Sequence, residues 1–294
     1  MEKKSIKKNA TLNIIKTVFS LVFPLITYPY ALRVLQIEQI GKFEFSSSIV
    51  SYFSLLAALG IAAYAVREGS KYRNDRQKCS EFSSEIFSIN MYSTLVAYIL
   101  LILCLVFVEK FQAYLPVILI LSSEIILATV GVNWIYNIFE DFSYITKITL
   151  ALQIVAVILL FVFVHDRKDL YAYSIITVIS SSGAGLFMFW HSRKYVTLRF
   201  VRKPSLAHLK PILIVFSTTI ATTIYVSSDT TILGWIAGDY SVGLYGTSVK
   251  IYKIVKQVLN AVVAVVIPRF AFFIGTKDKE NLEKLGNSLM NCMI

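Results

Sequence analysis

Three lysines at a spacing of three, in the stretch VKIYKIVKQVLN at 249–260, are the residues of this chain best suited to hold an anion. At about 100° per residue, Lys250, Lys253, Lys256 and Asn260 fall within about one third of a helix circumference. The segment that follows, AVVAVVIP, is uncharged. The lysines therefore either lie on a membrane surface or enter the membrane with their helix. Length decides. A span that began after Lys256 would have about 11 residues up to Ile267, about 16 Å of helix, against a hydrocarbon core of about 30 Å. Lys256 is thus expected near the middle of a membrane helix, where a lysine costs about 2.5–3.5 kcal/mol. Snorkelling serves Lys250 near the helix end but serves Lys256 poorly. Such a stripe faces a water-filled cavity, or else pairs with acids.

Acids inside the apolar runs are few. Asp229, in VSSDTTILG, lies at a depth similar to that of Lys250 and reads either as its structural partner or as a gating or ion-coupling group. Glu124, in LSSEIIL, sits in mid-run beside Ser122 and Ser123. It reads as a satisfied interior group or as a single proton-carrying carboxylate. Two further cations, Lys16 and Arg33, flank an early run whose Pro24 and Pro29 are expected to bend or break the helix. Hydroxyl-rich stretches, SSSIVSYFS and STTIATTIYVSSDTT, either pack and bond to their own backbone or line a wet path.

The elements that must carry these residues follow from composition. The 294 residues are 56% hydrophobic and 16% charged, with mean hydropathy +0.66, where a soluble domain is about 25% charged. Apolar runs long enough to cross a bilayer recur at 13–35, 43–66, 86–108, 114–136, 148–164, 171–191, 211–236 and 244–268, and a ninth begins near Leu285. Only helices or closed barrels satisfy the backbone in lipid, and these runs are too long for barrel strands. The expected fold is an all-α membrane protein, a multi-span helical bundle. The first run has no small-residue cleavage site and is not read as a secretory signal.

Lysine and arginine placement orients the bundle. Clusters at 3–8, 67–78, 193–210 and 269–284 fall on the side of the N-terminus, against Arg33, Lys42, Lys110, Arg167 and Lys168 on the other. The N-terminus is therefore expected in the cytoplasm. The same role accounts for the net charge of +11 without a nucleic-acid partner. All connections on the far side are short. The longest cytoplasmic one, at 191–210, carries SRKYVTLRFVRKP and divides the chain into a first six-helix lobe (1–195), a basic linker (196–210) and a partial second lobe (211–294). A parallel repeat supports that division. IGKF at 40–43 matches VGLY at 242–245, and Arg67 matches Arg269, both 202 residues apart (40 to 242, 67 to 269).

No catalytic or cofactor motif appears: no Walker loop, glycine-rich nucleotide fingerprint, HExxH or nucleophile elbow. Cys79, Cys104 and Cys292 show neither pairing nor metal spacing. His165, His191 and His208 fall at span ends or in loops, without ligand-like neighbours in sequence. A transporter with no cofactor is expected, driven by an ion gradient or by substrate turnover. A membrane polymerase or ligase would need a sizeable external loop, which this chain lacks.

Three segments, KNATLNII, PLITYPYALRVLQIEQIGKFEFSSSIVSYFSLLAALGIAAYAVRE and DTTILGWIAGDYSVGLYGTSVKIYKIVKQVLNAVVAVVIPRF, resemble the Wzx-type polysaccharide repeat-unit flippases, in the multidrug/oligosaccharidyl-lipid/polysaccharide exporter superfamily. The resemblance implies a two-lobed exporter-type bundle with a central cationic cavity, here with the second lobe incomplete. It implies flipping of undecaprenyl-diphosphate-linked oligosaccharide for O-antigen or capsule synthesis across the bacterial cytoplasmic membrane. Arg33 and the three lysines would contact the diphosphate or acidic sugars. Membrane lipids, a polysaccharide polymerase and chain-length proteins are the implied partners. The alternatives are an ion-coupled exporter of small molecules from the same superfamily, whose cationic cargo the lysines disfavour, and an inactive truncated flippase.

Overall fold

The computed structural model describes the backbone from Ile6 to Gly275 and the side chains of Phe19 and of residues 22–256. Among the described residues eleven α-helices follow one another: α1 (Ile6–Ala58), α2 (Ile61–Gly69), α3 (Arg76–Phe107), α4 (Glu109–Gln112), α5 (Leu115–Gly131), α6 (Asn133–Ile138), α7 (Phe142–Phe163), α8 (Leu170–Ser182), α9 (Ala184–Ser192), α10 (Leu209–Ile236) and α11 (Gly238–Gly275). No strand occurs among the described residues, and six segments there are long and apolar enough to cross a membrane. The expected all-α, multi-span class holds. The proposed ninth span, near Leu285, lies outside the described residues.

Single residues, rather than polar loops, separate several of these elements. The first expected span and most of the second are merged into α1, whose one non-helical residue is Gln36 (φ 65°, ψ 168°), and the second ends in α2 after a break at Leu59 and Gly60. Pro24 and Pro29 both lie within α1 without breaking it. The expected span 114–136 divides into α5 and α6 at Val132, and 171–191 into α8 and α9 at Gly183. Elsewhere the signals are conventional. Asp75 caps α3, its carboxylate accepting the N–H groups of Gln77 and Lys78 at 3.1 Å each. Pro116 sits in the first turn of α5, where its missing N–H costs nothing.

The chain divides into two compact units, residues 1–246 and 247–294. The first has two apolar cores. One gathers Leu35, Phe45, Ile118, Leu160 and Tyr173 at the end that carries Gln36 and the α4 turn. The other gathers Ile61, Ile86, Trp134, Tyr136 and Ile138 at the end that carries the basic linker. Ile154, Ile158 and Val162 repeat every four residues on the exposed side of α7, an apolar ridge suited to lipid. The second unit is described through the continuation of α11.

The linker is held by a ladder. Ser80, Ser84 and Ser88 of α3 accept the N–H groups of Thr197, Arg199 and Val201 at 3.1, 3.0 and 2.8 Å. Four residues of helix advance about 6.0 Å and two of extended chain about 6.6 Å, so the serine period matches alternate amides of an extended segment. Each serine also donates to the carbonyl four residues back.

Candidate functional site

Lys250, Lys253 and Lys256 lie on α11, which continues unbroken past them, so their spacing places them on one face. Lys250 is half-buried; Lys253 and Lys256 are exposed. The Lys256 ammonium stands 5.8 Å from the centroid of the Tyr252 ring, one turn back, a cation–π contact that leaves its outward side open. Like charges three and four apart on a helix sit about 5–6 Å from one another and repel. The side chains of Asn260 and Lys16, the other two members of the expected binding set besides Arg33, lie outside the described residues.

Arg33 is exposed on α1, one turn before the break at Gln36, and has no hydrogen-bond or ion-pair partner among the described residues. Asp229 is exposed on α10 and accepts a hydrogen bond from the Tyr245 hydroxyl at 2.7 Å. Glu124 is half-buried on α5 and accepts one from Ser181 of α8 at 2.6 Å. The carboxylates thus belong to separate places, and each is tied to a hydroxyl.

Around the two matching turns the structure brings together residues that the sequence reading passed over. A Cβ on Gly41 would lie 1.8 Å from the carbonyl oxygen of Asp239, and one on Gly243 would lie 2.1 Å from that of Ile37. Gly234 accommodates the ring of Phe45, and Gly246 approaches Glu44. Ile40 and Val242, which precede the two turn glycines, are both fully buried. The α4 turn clamps the same place. Lys110 donates to the carbonyls of Gly234 (2.7 Å) and Trp235 (3.0 Å) at the end of α10, a cation on the negative pole of a helix. Tyr114 donates to Asp239 at 2.6 Å, and Phe111 packs edge-on against Trp235. The shared glycine in IGKF and VGLY was the available signal; Lys110 and Tyr114 left none.

The hydroxyl-rich stretches divide between two roles. Ser51 donates to Ser227 at 3.0 Å, Thr231 to Ser48 at 3.0 Å, and Tyr52 meets Thr231 at 3.1 Å. These five groups bond α1 to α10. Ser217, Thr218, Thr219 and Thr222 are exposed and bond to their own helix. His208 has a structural role at the start of α10. Its Nδ1 lies 2.7 Å from the Tyr64 hydroxyl and its Nε2 lies 2.9 Å from Glu85, tying the start of α10 to α2 and α3. Both partners are more than 120 residues away in sequence, which is why local reading missed them. At the same end, the Tyr195 hydroxyl bonds to Asp141, and burial together with that carboxylate pushes the phenol above its usual range.

Comparison with known proteins gives a consistent setting. The family described as polysaccharide biosynthesis protein matches residues 6–273. A protein of Escherichia coli (strain K12), provisionally named an O-antigen transporter, is 24% identical over 287 residues, covering 92% of this chain and 66% of its own. A Shigella dysenteriae protein with the same provisional name is 23% identical over 280 residues, covering 94% and 70%. The chain spans about two thirds of the length of these curated relatives. No solved structure matches.

Proposed function

Because the chain belongs to the polysaccharide biosynthesis protein family, we propose that it takes part in moving lipid-linked oligosaccharide repeat units across the bacterial cytoplasmic membrane, as a flippase and not as an enzyme. The names of its relatives support transport of a polysaccharide precursor. The observation that carries the reading to the substrate is the face of Lys250, Lys253 and Lys256 on one unbroken helix. An undecaprenyl diphosphate presents two adjacent phosphates with several charged oxygens, which suits ammonium groups repeated along a helix. Arg33, with Lys16 and Asn260, belongs to the same proposed binding set. Asp229 and Glu124 are the proposed gating or ion-coupling groups. The lobes at 1–195 and 211–294, the linker at 196–210, the cytoplasmic N-terminus and partnership with a polymerase and chain-length proteins are parts of the same proposal.

The test is export. In a deletion strain, the double variant Lys253→Ala/Lys256→Ala is expected to insert in the membrane at the normal level and to display no surface polysaccharide, where the unaltered chain restores display. Normal display by the double variant would sink the role of the lysine face. Normal display in the deletion strain itself would sink the flippase reading.

A further inference from the structure

We propose that the groove between α3, the linker and the start of α10 binds an anionic phospholipid of the bilayer, with an acyl chain against α3 and the phosphate on Lys203. The groove has a volume of about 620 Å³, within the range of about 300–1,000 Å³ that holds small ligands. Ile89, Tyr92 and Val96 line it from α3, and Pro204, Leu206 and Leu209 from the linker and α10. The lining is almost wholly apolar. Its hydroxyls are already bonded: Tyr92 donates to the carbonyl of Arg202 at 2.9 Å, and Ser93 to that of Ala57 at 2.6 Å. The Lys203 ammonium is the exception. Lys203 lines the groove, is exposed, and has no hydrogen-bond or ion-pair partner among the described residues. No acid contributes to the lining.

The groove lies where α3 changes character. Arg76, Lys78, Glu81 and Glu85 stand at its start, and from Ile86 to Phe107 the helix carries no charge. Val96, Leu100, Leu103 and Phe107 are exposed at spacings of four, three and four. The apolar lining thus continues as a ridge along the helix, which in a membrane meets hydrocarbon. Tyr92 stands about two turns after Glu85 and one before Val96, at the boundary where tyrosine is enriched. A ligand that fits is therefore an amphiphile, its chain along Val96 and its charge at Lys203. One unpaired ammonium suits one negative charge, so a phosphodiester with an uncharged headgroup, as in phosphatidylglycerol, gains the full attraction. A zwitterionic headgroup gains less, because its own cation is repelled. A polyprenyl diphosphate carries more charge than one lysine answers. A phospholipid seated here joins the linker to α3 just past Val201, where the serine ladder ends.

The proposal rests on the membrane-spanning class and not on the flippase reading, and binding is tested without export. The whole chain, purified in detergent and stripped of lipid, is offered phosphatidylglycerol or phosphatidylcholine with the same acyl chains. Retained lipid is counted by native mass spectrometry. One phosphatidylglycerol is expected to be retained in preference to phosphatidylcholine. Lys203→Gln is expected to lower that preference about tenfold, the worth of one charge-assisted hydrogen bond, and Lys203→Arg to keep it. Lys210→Gln, at an exposed lysine outside the groove, removes the same charge from the linker and is expected to leave the preference unchanged. Val96→Trp fills the groove and is expected to lower retention of both lipids. If it fails to accumulate, Leu206→Ser, at an exposed position of the lining, is read in its place. Equal retention of the two lipids, equal effects of Lys203→Gln and Lys210→Gln, or unaltered retention in the groove variants would overturn the site. Retention of undecaprenyl diphosphate that falls in Lys203→Gln but not in Lys253→Ala/Lys256→Ala would overturn the phospholipid assignment. Lys253→Ala/Lys256→Ala is expected to retain phosphatidylglycerol normally even where it exports nothing, so failure of one reading leaves the other standing.

Discussion

Gln36 and Gly238 stand at helix breaks with similar positive φ, 65° and 76°, and lie 202 residues apart (36 to 238), the offset that also relates Gly41 to Gly243. The reciprocal packing of the two turns follows from that equivalence. Each turn glycine seats on the carbonyl of the residue just after the other break, Ile37 or Asp239. The contact maps onto itself when the copies are exchanged, as an isologous two-fold contact must. Glu44 and Gly246 hold the same place in the two copies and meet each other, which is where a two-fold axis would pass.

The two breaks carry unequal strain. At φ 65° and ψ 168°, Gln36 occupies a region that is almost exclusive to glycine. Gln36→Gly is expected to stabilise the chain by about 1 kcal/mol. Gly238 has nothing within 4 Å of where a Cβ would stand, so Gly238→Ala has room and suffers only from its backbone angle, a loss of about 1–2 kcal/mol. Thermal unfolding in detergent measures both. Equal midpoints for Gln36→Gly and the unaltered chain would show that the Gln36 side chain recovers the strain elsewhere.

At the glycines of the seam it is space that matters. Gly41→Ala and Gly243→Ala each push a methyl into backbone, which cannot swing aside. Each is expected to cost about 2–3 kcal/mol or to prevent accumulation. Gly246→Ala meets only the flexible Glu44 side chain at 3.0 Å and is expected to be well tolerated. The prediction is the pairing: similar damage at 41 and 243, little at 246. Loss at one of the first two alone would contradict the reciprocal geometry.

Hydrophobicity made the spans legible because crossing a bilayer demands about 20 apolar residues whatever the packing. The breaks were not legible for the same reason. A single residue at positive φ, such as Val132 or Gln36, interrupts a helix without interrupting the apolar run. Proline did not mark the breaks either, since Pro24 and Pro29 lie within α1 while the break falls at Gln36. Of the candidate site, the lysine face was legible from its period alone. The partners of Glu124 and His208 come from other helices, and no local pattern announces them. The serines of SSSIVSYFS were visible, but whether they face water or α10 is decided by packing.

The serine ladder predicts how the linker behaves. Ser80→Ala/Ser84→Ala/Ser88→Ala removes all three acceptors for Thr197, Arg199 and Val201 while leaving α3 its own backbone bonds. Each lost bond is worth about 0.5–1.5 kcal/mol, so local opening of the linker should become at least about tenfold more frequent. Trypsin cleavage at Arg199 or Arg202 reports that opening. An unchanged cleavage rate in the triple variant would mean that the linker is held by Tyr195, Asp141 and their neighbours instead.

The lysine face makes a prediction about charge as distinct from bulk. If the face serves a diphosphate, Lys253→Arg/Lys256→Arg retains export, because guanidinium groups also hold phosphate and keep the stripe cationic. Lys256→Met keeps much of the apolar stem and removes the ammonium. It is expected to lower export about tenfold, the worth of one charge-assisted hydrogen bond. Lys256→Glu adds repulsion to the loss and is expected to abolish export while insertion continues. Surface polysaccharide measured against membrane protein level separates these outcomes. Export by Lys256→Glu equal to that of Lys256→Met would show that the site senses size alone, and the diphosphate assignment would fall with it.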